Sequence, residues 1–185
     1  MKKAVVFLAE GFEEVEAVTP IDYLRRAGAQ VTLAGVSGRT VMGSHEIEIV
    51  CDLTIEEYLK AAGSSLPDLA VLPGGGRGSE NLAASKELRD FVSRMMLERK
   101  GVGAICAAPA VALGSWGLLA GKTWTGFPGS GDALGLVPRE DRVITDSNLI
   151  TARAAGCAEE FALALIAYLF DMEKSAEIAY RIFAR

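Results

Sequence analysis

Cys106 is the residue of this sequence that is best placed for nucleophilic chemistry. The small and apolar residues 103–105 predict a strand that ends at Cys106, and residues 107–113 predict a helix directly after it, with Pro109 in the first turn. A thiol at such a junction meets free backbone N–H groups and the positive end of the helix dipole, which favour the thiolate. The position therefore predicts a pKa below the ordinary value of about 8.5. The alternative interpretation is a buried structural cysteine.

Two further groups of residues could assist a thiol. Glu13, Glu14 and Glu16 crowd the first turn of a helix predicted at residues 13–26, where carboxylates complement the helix dipole. One of the three could instead face a cleft and exchange a proton beside the thiol, and the spacing does not choose among them. The glycine run 74–76 follows a predicted strand and lets backbone N–H groups approach a developing oxyanion, although a flexible turn is the alternative.

The histidine and the other cysteines predict no metal chemistry. His45, the single histidine, lies in a hairpin predicted at residues 40–51, away from every strand end that carries a candidate residue. Cys51 and Cys157 are expected to be packing or interface thiols. There is no Cys-x-x-Cys pair, so ligands at zinc-binding spacing are lacking. Widely spaced cysteines, odd in number, are typical of free thiols in a reducing compartment, and we expect a cytoplasmic protein without metal or cofactor.

Length and composition indicate one globular domain covering residues 1–185. The chain has 24 acidic and 19 basic residues, a net charge of −5, whereas nucleic-acid-binding proteins typically carry a basic surplus. Its longest apolar stretches, such as residues 161–170, are well below the roughly 20 residues that span a bilayer. The apolar run 4–9 is too short for a signal peptide, and glutamates follow it at once. We expect neither a nucleic-acid nor a membrane partner.

The elements that must position the candidate residues alternate between strand and helix. Short apolar runs are typical of parallel strands covered on both faces. A capping box at Thr54 and Glu57 and a cap at Ser85 indicate two helix starts. The predicted strands are 4–9, 30–34, 69–72, 102–105, 142–145 and 149–152, and the other predicted helices are 13–26, 107–113, 159–170 and 175–183. Such alternation predicts an α/β fold with a mainly parallel sheet between helical layers.

In a parallel α/β sheet, ligands bind beyond the carboxyl ends of the strands. Three segments of this chain follow such ends: residues 10–16, 73–78 and 106–108. They contain the glutamates, the glycines and the cysteine singled out above. The sequence therefore predicts that all three groups meet at one edge of the sheet.

The same segments resemble a known family. The chain carries Glu-Gly-Phe-Glu-Glu-Val-Glu after the first strand, then Leu-Pro-Gly-Gly, then Ala-Ile-Cys-Ala-Ala-Pro, and finally Thr-Ala-Arg-Ala-Ala-Gly-x-x-x-Glu-Phe-Ala-Leu. In this order and over essentially the whole chain, the motifs resemble the ThiJ/PfpI superfamily, and within it the subfamily of the parkinsonism-associated protein DJ-one and its bacterial relatives. The resemblance implies one flavodoxin-like three-layer sandwich, usually a homodimer, with a reactive cysteine at a nucleophile elbow.

The resemblance also implies roles for particular residues. The cysteine is Cys106, which in the family is oxidised to the sulfinic acid, and the glutamate that hydrogen-bonds it corresponds to Glu16. The oxyanion-hole donors correspond to the backbone N–H groups of Gly75 and Ala107. Gly76 and Phe127 are expected to border the substrate. Three other positions have lesser roles: Cys51 corresponds to a cysteine near the dimer interface, and Arg153 and Glu160 fall in the last motif, where a structural role is expected.

Two departures from the family pattern restrict the chemistry. The protease branch has a histidine directly after the cysteine, where this chain has Ala107. This disfavours a cysteine protease or amidotransferase. The parkinsonism-associated protein has a histidine before the proline of the segment at residues 125–128, where this chain has Phe127, as bacterial relatives do. Catalysis would therefore rest on Cys106 and Glu16 alone.

Two functions follow as hypotheses from the resemblance and the residues. The first is a glutathione-independent enzyme of the glyoxalase III or protein deglycase type, which acts through Cys106 on methylglyoxal, glyoxal or early glycation adducts. The second is a redox sensor or redox-regulated chaperone that uses oxidation of Cys106. A role in the thiamine pathway is a weaker alternative, because no basic cluster accompanies the glycines to bind a phosphate.

Overall fold

The computed structural model describes residues 1–184, in which strands and helices alternate. The strands are β1 (Lys3–Leu8), β2 (Gln30–Gly35), β3 (Thr40–Met42), β4 (Glu48–Val50), β5 (Leu53–Thr54), β6 (Leu69–Leu72), β7 (Gly101–Ile105), β8 (Val143–Asp146) and β9 (Leu149–Ala152). The α-helices are α1 (Glu14–Arg26), α2 (Ile55–Ala62), α3 (Gly76–Ala84), α4 (Lys86–Leu97), α5 (Ala158–Leu169) and α6 (Met172–Arg181). Within the described residues, no helix is both long and apolar enough to cross a bilayer.

One sheet organises the molecule. Its seven strands have the order β5-β2-β1-β6-β7-β9-β8, and only β8 runs antiparallel to its neighbour. The order β2-β1-β6-β7-β9 is that of flavodoxin-like sheets. In such sheets the strand order reverses between the two central neighbours, which here are β1 and β6. Strands β3 and β4 form a separate antiparallel hairpin. The predicted α/β fold with a mainly parallel sheet is confirmed.

Both faces of the sheet are covered, as the apolar runs predicted. Along β1, Val6 and Leu8 belong to the core beneath α1, α5 and α6, whereas Val5 and Phe7 belong to the core beneath α2, α3 and α4. All four side chains are fully buried. Burial of such a side chain stabilises the folded state by about 1.5–3 kcal/mol, so the central strands form a rigid base for the loops at their ends.

The structure departs from the predicted elements at two places near the glycines and the cysteine. Helix α3 begins at Gly76, inside the segment that the glycine run marked as a turn, because a helix can start directly after Gly75 turns the chain at φ +87°. After Cys106, the chain forms a six-residue π-helical segment, Pro109–Gly114, in place of the helix predicted at 107–113.

Candidate active site

The three segments predicted to meet at the carboxyl ends of the strands do lie together. The N–H of Glu13 donates to the carbonyl of Gly74 at 3.1 Å, and the N–H of Gly78 donates to the carbonyl of Gly11 at 3.1 Å. These bonds join the loop after β1 to the loop after β6. Because β6 pairs directly with β7, the joined loops lie beside the residue at which β7 ends.

That residue, Cys106, is held in an unusual backbone conformation. Its φ angle is +64°, in the left-handed region, which residues with a Cβ rarely occupy and which persists only where the surroundings enforce it. Its N–H donates to the carbonyl of Ala152 at 2.9 Å, and its carbonyl accepts from the N–H of Phe127 at 2.7 Å. Cys106 is partly exposed between the buried residues Ile105 and Ala107, so its side chain remains accessible at a corner of the backbone.

Glu16 is the glutamate that the structure turns inward. Its residue exposure is 1%, although it lies in the first turn of α1. The carboxylate of Glu13 caps the helix by accepting from the N–H of Glu16 at 2.7 Å. The carboxyl of Glu16 in turn accepts from the N–H of Gly74 at 2.9 Å. The three glutamates therefore have different surroundings, and only one of them reaches the thiol.

Gly74 makes the contact between Glu16 and Cys106 possible. A Cβ atom at this position would lie 2.4 Å from Oε2 of Glu16 and 2.6 Å from Cβ of Cys106, distances that real Cβ atoms do not tolerate. The glycine run in the sequence pointed to this loop, but it did not show that Gly74 separates the two reactive side chains. A backbone N–H from Ala155, which no pattern in the sequence had indicated, also faces the carboxyl of Glu16.

The surroundings raise the pKa of both members of the pair. Burial raises the pKa of Glu16 to about 7, against hydrogen bonds with Cys106, Gly74 and Ala155 that act in the opposite direction. Burial and the adjacent charge of Glu16 raise the pKa of the Cys106 thiol to about 12, although the N–H groups of Gly75 and Ala107 favour its charged form. The predicted lowering of the thiol pKa is wrong for Cys106 beside an ionised Glu16, because burial and the carboxylate outweigh the backbone donors.

The pair consequently behaves as one titrating unit. It loses a first proton near pH 7 and a second only near pH 12, because two negative charges side by side are costly in a buried setting. Over the range between, the two groups share one proton, which lies mainly on the sulfur of Cys106 and can pass along their hydrogen bond to the carboxyl of Glu16. Transfer of that proton to Glu16 leaves a thiolate without adding any charge to the site.

Two of the predicted backbone donors face the sulfur. The N–H groups of Gly75 and Ala107 both point at Cys106, where they favour negative charge. Gly75 adopts φ +87°, and a Cβ there would lie 2.3 Å from the carbonyl of Gly11, so only glycine fits. Gly76 is exposed at the first residue of α3, with open space around it. Phe127 contributes its backbone N–H to the cysteine corner, and the residue is 49% exposed.

The charged residues of the last motif make structural contacts. Glu160 accepts from the guanidinium of Arg142 at 2.9 Å. Arg153 donates through its side chain to the carbonyl of Glu140 at 2.9 Å. Both contacts are with the segment that leads into β8, so they tie the last motif to the edge of the sheet.

His45 lies closer to the candidate residues than the sequence predicted. The hairpin folds over the start of α1, where Nδ1 of His45 lies 2.9 Å from Oε2 of Glu14 and the N–H of His45 donates to Oε1 at 2.6 Å. The expectation that His45 lies apart from the candidate residues is therefore wrong. The hydrogen bond to Glu14 raises the pKa of the imidazole. Donor atoms of Glu13, Glu14 and His45 lie within 4.8 Å of one another, but Glu14 already accepts hydrogen bonds at both oxygens.

The other two cysteines are enclosed. Cys51 and Cys157 are 2% and 3% exposed, and both belong to the core beneath α1, α5 and α6. Burial raises the pKa of Cys51 to about 11, which keeps it protonated. The three cysteines form no disulfide. Of the three thiols, Cys106 alone combines access to solvent with a titrating neighbour.

The sheet is flavodoxin-like, and at its carboxyl edge a partly exposed cysteine in a left-handed conformation lies beside a buried carboxyl. The protein therefore belongs to the class of α/β proteins with a candidate thiol site at the carboxyl edge of the sheet. The model of the DJ-1/PfpI family matches residues 2–168, and the chain belongs to that family.

Several relatives support this membership. The chain is 39% identical to the Parkinson disease protein 7 homolog of Danio rerio, over 96% of this chain and 94% of the relative. It is also 39% identical to protein DJ-1 homolog A of Arabidopsis thaliana, but there it spans only 45% of the relative's length. A protein named a deglycase, from Pyrococcus abyssi, is 29% identical over 83% of this chain and 91% of its own length.

Solved structures agree with the sequence relatives. A DJ-1 superfamily protein of Salmonella typhimurium superimposes with a TM-score of 0.92 at 37% identity, covering 100% of both chains. The oxidized DJ-1 of Toxoplasma gondii superimposes with a TM-score of 0.90 at 33% identity, covering 99% of this chain and 98% of the other.

Proposed function

We propose that this protein is a cysteine-dependent enzyme that acts on reactive dicarbonyls, such as methylglyoxal and glyoxal, or on their early adducts with proteins, without glutathione. The observation that carries the proposal is the hydrogen bond between the buried carboxyl of Glu16 and the thiol of Cys106 at a partly exposed corner of the backbone. The similarity to a protein named a deglycase supports the same substrate class.

The first step is addition of the sulfur to the aldehyde. With the shared proton on Glu16, the thiolate of Cys106 attacks the aldehyde carbon of methylglyoxal and forms a carbon–sulfur bond. The electron pair of the carbonyl moves to its oxygen, where the N–H groups of Gly75 and Ala107 can donate to the negative charge. Glu16 then gives its proton to that oxygen, so that the product of the step is a neutral hemithioacetal and a carboxylate.

The second step is a proton transfer between the two carbons of the substrate. The carboxylate of Glu16 removes the proton from the carbon bonded to sulfur and returns it to the neighbouring carbon. The hydroxyl proton passes to the former ketone oxygen, so that the hemithioacetal becomes a lactate thioester. Water then cleaves the thioester, giving lactate and the free thiol. An early glycation adduct would join the same path. The thiolate displaces the amine, which leaves with the proton of Glu16, and the same hemithioacetal results.

Lactate formation from methylglyoxal in the absence of glutathione tests this proposal. The wild-type protein is expected to form lactate, and the Cys106→Ala and Glu16→Gln variants are expected to lose at least about a hundredfold in rate, as general-base and nucleophile removal typically do. Cys51→Ala is the matched control, since Cys51 lies in the core and takes no part. Retention of the wild-type rate by Cys106→Ala would show that the mechanism is wrong.

A redox sensor or redox-regulated chaperone is the second candidate, and the backbone donors favour it specifically. A sulfinate at Cys106 would accept from the N–H groups of Gly75 and Ala107 and from protonated Glu16. Mild peroxide is expected to add two oxygen atoms at Cys106 and to leave the buried Cys51 and Cys157 unchanged, as measured by intact-mass and peptide mass spectrometry. Such oxidation without any dicarbonyl turnover would favour the sensor over the enzyme.

We also propose that two copies of the chain associate in a reducing, cytoplasmic setting. Exposed apolar side chains occur on α1 at Val15 and Val18 and on the hairpin at Ile47 and Val50. The hydrogen bonds of Glu14 with the hairpin place these two elements next to each other. Neighbouring exposed apolar side chains of this kind are typical of protein interfaces.

A further inference from the structure

A cleft lies at the opposite end of the sheet from Cys106. Its volume is about 330 Å³, and it lies at the amino ends of β1 and β2, beneath α2 and the segment at residues 65–67. Cys106, in contrast, follows the carboxyl end of β7. We refer to this space as the α2 cleft. Its volume falls within the range of small-molecule sites, at the lower end.

The lining of the α2 cleft is apolar with one positive charge. Eleven of the residues that the structure describes line the cleft; among these eleven, Lys3 is the only charged residue and none is acidic. Asp68, which accepts the backbone N–H of Lys3, is already paired with Lys100 at 3.1 Å. The walls are formed by small and apolar residues such as Ala61, Ala62 and Leu66. The ammonium group at the rim is therefore complementary to an anion attached to an apolar body.

Polar groups of the lining are also free to bind. Four polar residues line the cleft: Gln30 and Ser65, which are exposed, and Thr32 and Tyr58, which are partly buried. Within residues 1–184, the hydroxyl groups of Thr32 and Tyr58 form no hydrogen bond with another residue. Partly buried hydroxyl groups normally find a partner, from the protein, from water or from a ligand. A few such donors around an apolar space are typical of ligand sites.

Tyr58 is held in a fixed orientation within the cleft. Its ring packs edge-on against Phe7 and Phe91, with centroids 5.8 Å and 5.9 Å away, and those two rings pack against each other at 5.5 Å. Burial raises the pKa of Tyr58 to about 12, so its hydroxyl keeps its proton and remains a donor at neutral pH. A ligand would therefore meet a rigid aromatic wall that carries a hydrogen-bond donor.

We propose that the α2 cleft binds a small organic carboxylate with an apolar body, at a site separate from Cys106. The carboxylate lies toward Lys3 and accepts from the hydroxyl groups of Tyr58 and Thr32. The apolar body lies between the ring of Tyr58 and the small side chains of α2. A larger residue in place of Ala62 would fill the space that this body needs.

Three probes of the same shape test the charge preference: benzoate, benzamide and benzamidine. Amide shifts in two-dimensional NMR spectra report where and how tightly each probe binds. Benzoate is expected to bind in the low millimolar range, as a fragment of its size can, and to shift the amides of Thr32, Ala62 and Ser65. Benzamide is expected to bind severalfold more weakly, and benzamidine, which is cationic, more weakly still. The Cys106→Ser protein is expected to give the same result, so failure of the catalytic proposal would not affect this one.

Two conservative variants test the named contacts. Lys3→Met, which keeps the aliphatic stem, and Tyr58→Phe, which keeps the ring packing, are each expected to weaken benzoate binding about fivefold. Lys60→Met removes a charge from the same helix outside the cleft and is expected to leave the affinity unchanged. Equal binding of the three probes would overturn the proposal. So would the absence of binding at millimolar benzoate, or shifts confined to the residues around Cys106.

Discussion

Replacement of Glu16 by glutamine should change how Cys106 reacts with an alkylating agent as pH is varied. In the wild-type protein the pair loses its first proton near pH 7, so the alkylation rate is expected to rise through that pH and then to level off. Below pH 7 the pair regains its second proton, so the fraction of molecules that carry a thiolate falls. Glutamine keeps the size of the side chain and an oxygen that can accept from Gly74, but it cannot take the proton.

The size of the expected change in alkylation rate follows from two protonation equilibria, that of the Glu16–Cys106 pair in the wild type and that of the thiol alone in the variant. Without Glu16, the thiol has to ionise alone, with a pKa of about 9 or above, because the site remains buried. At pH 7 the alkylation rate would be about one half of its value at about pH 10 in the wild-type protein, but only about one hundredth of that value in the variant. Relative to the rate of each protein at about pH 10, the variant should therefore react about 50-fold more slowly at pH 7.

Iodoacetamide labelling, followed by mass spectrometry of the peptide that contains Cys106, measures this directly. The buried Cys51 and Cys157 serve as internal references, and Glu80→Gln, an exposed change on α3, is the matched variant that should retain the wild-type profile. A profile for Glu16→Gln with the same midpoint as wild type would refute the shared proton. Circular dichroism melts establish that the variant is folded.

Three further predictions rest on the same structure. Because the folded-state pKa of Glu16 (about 7) exceeds its ordinary value of 4.5, the stability of the wild-type protein should fall as pH rises between these values. In urea unfolding, Glu16→Gln should be about 3 kcal/mol more stable than wild type near pH 8 and should differ little from it near pH 4. Gly74→Ala should lower turnover at least tenfold and destabilise the fold by about 1–3 kcal/mol. Gly76→Ala, where a Cβ meets open space, should do neither. Equal effects of the two substitutions would contradict the packing argument. Val50→Asp should convert a dimer into a monomer in light scattering, whereas Val137→Asp, at an exposed valine outside α1 and the hairpin, should not. A monomeric wild type would remove the dimer proposal.

The sequence predicted most of the fold because the signals for strands and helices are local. Apolar runs marked the strands of the sheet except the two-residue β5, and the capping box at Thr54 and Glu57 is formed as predicted. Helix α3 was missed because glycines at residues 74–76 are typical of a turn, and its start depends on how the loop after β6 packs against Gly11. The position of Cys106 at the end of a strand was also available from the sequence.

The sequence by itself determined the α/β architecture, the three loops at the carboxyl edge of the sheet and the cysteine among them, because periodicity and chain direction fix these features. Only the tertiary structure decided which glutamate reaches the thiol and what pKa each of them has. Those properties depend on burial and on contacts such as that of Gly74 with Glu16, which are 58 residues apart in the chain. The same holds for His45, whose contact with Glu14 exists because the hairpin folds over α1. Desolvation and charge proximity act through space, and a linear pattern does not contain the distances that set them.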